Sequence, residues 1–424
     1  MKQWEMILAT FVFSAIQTRA QNLEYRFSVV DEGTLNKISF ETPLNYQNRI
    51  LPQSTESHLT ATNLFLGYGG LSTSLSFDAS TDNLKSPEYT CAIRELTLDL
   101  SLTDKFDMTI GKKILKWGPG YAFNPTGVVE PQRSPSDPSD RFGQNDGRTL
   151  VSANAFFGRS SITIIYLDDI QYDSSTMSWG KQELALRVYT FFNGFDLSLV
   201  GHYKESDRLE TGFNWSKVFG SNLEFHGEAL TKKGSSAQYH QIITSDNDQQ
   251  LFTTNPYIPL YDHSNRIFYK ILLGGQYTLE NGINLVLEYY HDAEGLNKIE
   301  WQRWMKFVKF HNSIQQGSIS TAPAFVEVSR SNILWALRTL SPRGTMRDYI
   351  FMREYYSTGN WSFECLQFLN AQDFSAVVIP SAAFGISENI SLYSRWTSFI
   401  GDRDSEFGVL FQSCSFNLGI RFQL

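Results

Sequence analysis

The chain has 424 residues, with 36 basic and 44 acidic side chains, and therefore a net charge of −8 at neutral pH. Its 42% hydrophobic and 14% aromatic residues exclude an intrinsically disordered chain, because so much apolar surface collapses in water. The acidic balance and the absence of runs of Lys and Arg exclude nucleic acid as a partner, since its phosphates require a basic face.

The N-terminus has the features of a secretory signal peptide. Lys2 precedes an apolar stretch over residues 6–16, and the small residues Thr18 and Ala20 stand just before Gln21, which is the pattern of a cleavage site. We therefore expect residues 1–20 to be a signal peptide and residues 21–424 to form one domain; the alternative is an N-terminal core helix. Beyond residue 20, no apolar run approaches the roughly 18 residues of a membrane-spanning helix.

Strict alternation of apolar and polar side chains dominates the rest of the chain. It is clear over residues 95–100, 195–200, 223–229 and 283–290, and it indicates strands whose two faces meet different surroundings. Tight-turn sequences such as Asn193-Gly194 separate many of these strands. The pattern predicts eighteen strands, near 22–31, 56–67, 70–78, 91–102, 105–115, 148–157, 159–167, 183–192, 194–203, 207–218, 221–230, 268–279, 283–291, 347–356, 360–369, 374–385, 389–400 and 407–424.

This strand pattern favours a transmembrane β-barrel over a soluble β-sandwich, which would also alternate. We predict an all-β, antiparallel up-and-down barrel of about 18 strands, with 16 to 20 as the range. If the first strand starts at the periplasm, the tight turns fall on that side. The longer connections, 78–90, 116–147, 168–182, 231–267, 292–346 and 401–406, then all lie outside.

The C-terminal strand is apolar at every second position up to Leu424. This resembles the signal by which outer-membrane barrels are recognised for assembly, so the resemblance implies the barrel assembly machinery as a partner. Those signals usually finish in Phe, and Leu424 departs from them.

The connection 116–147 holds five of the chain's 13 prolines and cannot extend either neighbouring strand, because proline lacks the backbone donor. Its ionisable side chains are the candidates for a pore constriction: Arg133, Asp137, Asp140, Arg141, Asp146 and Arg148. Either the loop folds into the lumen and these charges set selectivity, or it is a solvated outer loop. The spacing of its aspartates matches no calcium-binding loop, and we predict no metal site.

The same loop carries a family resemblance. Residues 116–126 read KWGPGYAFNPT, and residues 137–141 read DPSDR. A strand that ends in W-G-x-G, followed by N-P and a segment rich in Asp and Pro, resembles a group of porin-like outer-membrane proteins. Residues 288–295, 370–373 and 401–408 are similar to that group's later strands and loops. The resemblance implies an outer-membrane β-barrel that serves as a channel, and it names no substrate.

The connection 292–346 has helical periodicity. Trp301, Trp304, Met305 and Val308 recur on one face, and residues 333–340 predict a second helix. The pair either caps the mouth of the barrel or rests its Trp- and Lys-rich face on the rim or the membrane interface, and the second interpretation is favoured.

Alternation also predicts which charged side chains line the lumen. There are nine acids against three bases, which predicts a weak preference for cations. The acids are Glu95, Asp99, Asp107, Glu183, Asp196, Glu224, Glu228, Glu288 and Glu364, and the bases are Lys113, Arg187 and Arg395.

Nothing in the sequence predicts an enzyme or a cofactor. The chain has no nucleophile-elbow, zinc-protease or phosphate-loop motif, and adjacency in His311-Asn312-Ser313 is not a catalytic geometry. The three cysteines are too few for a disulfide framework.

The functional hypothesis is an outer-membrane channel of a Gram-negative bacterium for passive diffusion of small polar solutes or ions, with outer-membrane lipid around it and a homo-oligomer or periplasmic partner possible. Two alternatives stay open. One is a transporter of a hydrophobic compound, plugged by residues 32–55 or by the helix pair. The other is a structural barrel that scaffolds an export complex.

Overall fold

A computed structural model of the protein describes residues 23–39, 42–45, 56–83, 85–168, 171–172, 177–178, 182–204, 208–235, 265–319, 322–341, 343–410 and 412–424. The predicted signal peptide, half of the candidate plug segment 32–55 and most of the connection 231–267 lie outside the described residues.

Eighteen long strands form the body of the molecule. They are β1 (Leu23–Ile38), β2 (Glu56–Tyr68), β3 (Leu71–Asp82), β4 (Lys85–Thr103), β5 (Phe106–Lys113), β6 (Arg148–Phe157), β7 (Ser160–Asp168), β8 (Gln182–Phe192), β9 (Phe195–Lys204), β10 (Arg208–Phe219), β11 (Leu223–Lys233), β12 (Ile267–Thr278), β13 (Asn284–Asp292), β14 (Asp348–Thr358), β15 (Trp361–Asn370), β16 (Ala376–Gly385), β17 (Ile390–Ile400) and β18 (Gln412–Gln423). Gln171–Tyr172 pairs with Met177–Ser178 as a separate small hairpin.

The sheet closes on itself. Each long strand pairs antiparallel with the next, and β1 pairs with β18, with Ser28 opposite Gln423. The predicted eighteen-stranded antiparallel barrel is therefore confirmed. Closure leaves no unpaired sheet edge. A membrane-spanning sheet requires this, because hydrocarbon contains no water that could bond to an unpaired backbone N–H or C=O group.

Two predicted segments differ in the structure. Residues 78–90 are not a long connection, because β3 continues to Asp82 and β4 begins at Lys85. The pairing shifts between Ser80 and Asp82, and this irregularity accommodates Pro87, which cannot donate to a regular ladder. The last strand begins at Gln412, since residues 407–410 belong to the preceding connection.

The two ends of the barrel differ as expected. At the short-turn end, connections of two to five residues join the strands, as at Asn193 and Gly194, whose φ angles of 50° and 79° are those of a type I′ hairpin. Both described termini lie at this end, where Phe27 and Leu424 exchange backbone hydrogen bonds. Residues 114–147 and 293–347 leave from the opposite, long-loop end.

The outer surface of the barrel is apolar. Leu287 in the middle of β13 has 54% of its surface exposed, whereas the adjacent Glu288 is fully buried inside. Leu98, Leu285 and Phe225 are exposed in the same way, as the alternation predicts for side chains that face lipid. Among the described residues, no helix has the length and hydropathy needed to cross a membrane.

Two helices, α1 (Lys298–Gln315) and α2 (Pro323–Thr339), form the predicted helix pair. Helix α1 begins with a capping box, in which Asn297 and Glu300 bond to each other's backbone. Its Trp301 and Trp304 are buried in a core with residues of the inner wall, among them Phe351. The interpretation that this face rests on the rim or the membrane is therefore wrong, because the wall offers the indoles a larger apolar surface inside.

We predict that Leu287→Arg impairs insertion and costs about 2–4 kcal/mol of folding free energy if residue 287 lies near the bilayer midplane. The measurement is urea unfolding in lipid vesicles, with Asn281→Arg in a short turn as the matched control. In a variant without the native cysteines, Leu287→Cys should be protected from a water-soluble maleimide. Rapid labelling at position 287 would contradict the assigned orientation of β13.

Candidate functional site

The connection between β5 and β6, residues 114–147, folds into the barrel; we call it the lumen loop. Apolar side chains along it are buried, namely Trp117, Ala122, Phe123, Val129 and Phe142. Phe123 stacks on Tyr290 of β13, with ring centroids 4.2 Å apart. The loop therefore packs against the far wall rather than extending into solvent.

Two wall carboxylates hold the first half of the lumen loop; we call them the acidic anchors. Glu228 on β11 accepts hydrogen bonds from the backbone N–H groups of Gly120 at 2.9 Å and Thr126 at 2.8 Å, and from the Thr126 hydroxyl at 2.7 Å. Glu288 on β13 accepts from the backbone N–H groups of Tyr121 and Ala122. Each of these bonds satisfies a backbone donor of the loop that burial would otherwise leave unpaired, so these contacts fix the loop in the lumen.

A third carboxylate, Glu130, organises the loop itself. Its Oε1 accepts from the backbone N–H groups of Trp117 and Gly118, both at 2.9 Å, and its Oε2 pairs with Arg133 at 3.1 Å. Arg133 also donates to the carbonyl of Gly118 at 3.2 Å. Arg133, one of the candidate constriction residues, therefore stabilises the lumen loop through contacts within the loop itself.

The second half of the loop contacts the opposite side of the barrel. Arg141 pairs with Glu32 of β1 at 2.8 Å. Asn63 of β2 donates to the carbonyl of Phe142 at 2.9 Å, and Arg395 of β17 donates to the carbonyl of Ser136. The lumen loop thus spans the barrel from one wall to the other.

The remaining candidate loop residues have local roles. Asp140 has a positive φ of 48° and accepts from the backbone N–H groups of Gln144 and Asn145 at 2.9 Å, which makes it a turn residue. Asp146 pairs with Arg94 at 3.1 Å, and Arg148 pairs with Glu183 at 2.9 Å, so both bind to the neighbouring wall. Asp137 lies 3.5 Å from the guanidinium of Arg141.

Most predicted lumen-lining charges have partners, so a count of acids and bases overstates the free charge. Glu183 also contacts His202 at 2.8 Å, Asp99 pairs with Lys113 at 2.9 Å, and Glu364 pairs with Arg353 at 2.6 Å. Glu95 accepts a hydrogen bond from the backbone N–H of Ile114 at 2.8 Å, and Asp196 accepts one from the Tyr189 hydroxyl. Arg187 donates to the Ser198 hydroxyl at 3.1 Å. Glu224 lies 3.9 Å from His226, and Asp107 is half-buried.

Arg353 and Arg94 are inward-facing arginines that are absent from the predicted set of lumen-lining residues. Arg353 alternates with the exposed Met352 on β14, so strict alternation could have identified it. Arg94 bonds to Ser76 and Asp78, but the pairing of β3 with β4 shifts at this residue. Such a β-bulge turns two successive side chains to the same region, and a period of two cannot anticipate it.

Three cavities surround the lumen loop. The basic cavity, 750 Å³, lies at the long-loop end beside β11–β13, and the apolar cavity, 720 Å³, lies beside β15–β18. The short-turn cavity, 170 Å³, lies nearer the short-turn end. The basic and apolar cavities share Arg338 and Ser341. The apolar and short-turn cavities share a set of residues that we call the neck: Asp137, Arg141, Leu366 and Arg395.

The basic cavity has seven basic side chains against four acidic ones, a net charge of +3. These are Arg133, Arg148, Lys204, Lys232, Lys270, Arg338 and Arg343, against Glu130, Glu210, Asp292 and Glu294. At the long-loop end, burial opposes the ionisation of Glu294, but the ammonium groups of Lys270 and Lys232 prevail and lower its pKa to about 2. Glu294 is therefore ionised across the physiological pH range and pairs with both ammonium groups.

A buried carboxylate joins three connections at the long-loop end. Glu406 accepts from the hydroxyl of Tyr349 at 2.8 Å, the amide of Asn370 at 2.7 Å and the backbone N–H of Thr345. Complete burial raises the pKa of Glu406 to about 7. The carboxyl thus sets the relative position of residues 343–346, 370–375 and 402–410.

His311 in α1 has no catalytic arrangement. Its Nε2 lies 3.1 Å from the amide of Asn332, and the hydroxyl of Ser313 donates to the backbone of Lys309. Burial lowers the pKa of His311 to about 4, so the ring is neutral and serves the packing of α1 against α2. Among the described residues, no cluster of His, Cys, Asp and Glu is suited to a metal ion.

Comparison with known proteins supports the fold. No protein-family model and no curated relative matches the chain. OccK5 (OpdH) of Pseudomonas aeruginosa matches over 95% of this chain and 98% of that chain, at 9% identity and a TM-score of 0.54. OccK8 (OprE) of the same organism gives the same coverage and TM-score at 8% identity. OccAB1 of Acinetobacter baumannii matches over 95% and 96%, at 9% identity and a TM-score of 0.52.

These neighbours are outer-membrane β-barrels of the OprD/Occ porin family. This chain shares their fold, a closed, eighteen-stranded antiparallel barrel, and has two helices and an inward-folded loop.

We predict that Glu288→Gln loosens the lumen loop, because one amide oxygen replaces two acceptors and leaves a buried donor unpaired, at a cost of about 1–3 kcal/mol. The measurement is hydrogen exchange at Tyr121 and Ala122 in the folded barrel, together with the free energy of unfolding. Glu224→Gln is the matched control, since Glu224 is half-buried on the same wall. Equal exchange rates in both variants would contradict the anchoring role.

We also predict a pH signature of Glu406. Its pKa is about 7 in the folded protein against 4.5 as the ordinary value. The folded state therefore binds more protons than the unfolded state between these values, and its stability falls as pH rises through that window. Glu406→Gln should remove this part of the slope, so that the variant gains stability relative to the native protein above pH 7. Parallel pH profiles of the two proteins in urea unfolding would refute the assignment.

Proposed function

We propose that the protein is an outer-membrane channel of a Gram-negative bacterium for the passive diffusion of small polar solutes or ions, and not an enzyme. The observation that carries the proposal is the succession of cavities around the lumen loop, which share residues from the long-loop end to the short-turn end. The apolar exterior, the polar side chains of the lumen and the fold of the Occ proteins support it.

In this proposal the neck is the constriction. Asp137 and Arg141 from the lumen loop and Arg395 from the wall stand where the apolar and short-turn cavities meet. A narrow point lined by charge determines selectivity in pores. Of the six candidate constriction residues, Asp137 and Arg141 are the two that we assign to this task, whereas the others hold the loop in place.

We further infer that the W-G-x-G…N-P segment is the framework of the constriction in the porin-like group that it resembles. Gly118 and Gly120 leave no room for a side chain, because a Cβ there would lie within 2.6 Å of a Glu228 oxygen or within 2.2 Å of a backbone carbonyl. Close approach of the backbone to an acidic anchor requires glycine. This explains the spacing of the motif in physical terms.

The proposed partners follow from the location. Lipid surrounds the apolar exterior, and the alternating β18 is the segment that the barrel assembly machinery would recognise. A homo-oligomer or a periplasmic partner stays a hypothesis. The export-scaffold alternative gains no support from the described residues and is not proposed.

Deleting residues 131–141 should widen the pore and raise its single-channel conductance roughly twofold or more, because the deletion removes the loop side of the neck. Planar-bilayer recordings provide the measurement, after a heat-modifiability gel establishes that the barrel is folded. An equal-length Gly/Ser replacement is the matched control and should give a smaller increase. Unchanged conductance in the folded deletion variant would show that residues 131–141 do not narrow the pore.

The ion preference should be weakly anionic, contrary to the count of wall charges. Many charges of the wall and of the basic cavity are paired, whereas Arg395 at the neck has no carboxylate within 4.0 Å among the described residues. Salt screens charges beyond roughly 8 Å at physiological ionic strength, so the effect is small. A reversal potential across a salt gradient measures it, and Arg395→Gln should shift it towards cations. Cation preference in the native protein would show that the wall controls passage.

A further inference from the structure

The apolar cavity differs from the rest of the lumen. In β15, β16 and β17 the inward face is polar or small nearer the short turns, with Glu364, Ser381 and Arg395. It becomes apolar towards the long loops, with Leu366 and Phe368 on β15, Val377 and Ile379 on β16 and Phe399 on β17. Lumen walls of transmembrane barrels are ordinarily polar, so this apolar patch requires an explanation.

Packing of helix α2 explains only part of the patch. Four of the five apolar wall residues are at most 6% exposed. Phe399 of the wall and Leu334, Leu337 and Leu340 of α2 are only partly buried, and a volume of 720 Å³ stays open beside them. That volume is within the roughly 300–1,000 Å³ of small-molecule sites. Close-packed interiors seldom leave such a space.

One end of the cavity is positively charged. Arg395 is only 9% exposed and donates to the carbonyl of Ser136, yet among the described residues no carboxylate lies within 4.0 Å of it. Arg141, the other arginine at this end, is already paired with Glu32. A buried guanidinium normally has an anionic partner, and Arg395 has donors left for one.

We propose that the apolar cavity binds a single-chain amphiphile with an anionic head group, of the fatty-acid class. The acyl chain lies between Leu337 of α2 and the wall residues Phe368, Ile379 and Phe399, and the head group accepts hydrogen bonds from Arg395. Charge complementarity at Arg395 and the apolar lining of the cavity select this ligand over a neutral hydrocarbon or a small hydrophilic anion. Binding does not depend on conduction through the neck.

The test uses the full protein in lipid nanodiscs and dodecanoate with a photoreactive diazirine near the end of its chain. After irradiation, peptide mapping should find cross-links on Leu334, Leu337 or Phe399. Labelling confined to outward-facing residues such as Leu392 and Leu418 would overturn the proposal, because it would reflect partition into the surrounding lipid. Unlabelled dodecanoate should compete at least tenfold better than dodecanol; equal competition would overturn the anionic head group.

Variants test the apolar lining and the arginine of the site separately. Leu337→Trp fills the cavity and should abolish cavity labelling, whereas Leu392→Trp on the lipid face is the matched control and should leave it unchanged. Arg395→Gln should weaken dodecanoate binding at least tenfold, and Arg395→Lys should restore most of it. If Arg395→Gln does not fold, labelling of Leu337→Trp still tests the apolar part of the site, and the competition with dodecanol still tests the anionic head group. Full labelling of a folded Leu337→Trp variant would overturn the site.

Discussion

The arrangement of the lumen depends on two carboxylates, Glu228 and Glu288, that point inward from adjacent regions of the wall and accept backbone N–H groups of the lumen loop. A loop rich in proline and glycine forms few hydrogen bonds of its own, and its peptide groups would be costly to bury unpaired. The acidic anchors satisfy these groups at fixed positions. Because both carboxyl groups are inaccessible to solvent, moving the loop would leave its buried backbone donors without acceptors.

This constraint has consequences across the barrel. With its first half fixed to β11 and β13, the lumen loop reaches the opposite wall, where Arg141 meets Glu32. The loop separates the space at the long-loop end from that at the short-turn end and leaves a gap beside Arg395. The anchors therefore determine the place of the neck although they do not line it, in the way that supporting contacts fix the geometry of a functional site.

The barrel could be predicted from the sequence because its determinant is local. Alternation with period two reports which face of each strand meets lipid, and short turns such as Asn193-Gly194 fix the order and parity of the strands. The same alternation placed Glu228 and Glu288 inside correctly. It could not reveal that they are covered, since their partners lie 100 or more residues away in sequence. Burial by a folded loop is a tertiary property, and for that reason a count of inward-facing acids does not report which of them the loop covers.

The location of the helix pair also could not be predicted from its sequence pattern alone. An amphipathic helix with Trp301 and Trp304 on one face satisfies the pattern of an interfacial helix and of a buried one. What decides between them is the apolar area available, and in this barrel the inner wall supplies it through Phe351, Phe368 and their neighbours. An apolar inner wall cannot be recognised from strand alternation when both faces carry apolar residues. The apolar patch thus accounts both for the position of α1 and for the cavity beside α2, so that one departure from barrel patterning underlies the burial of α1 inside the barrel and the proposed amphiphile site.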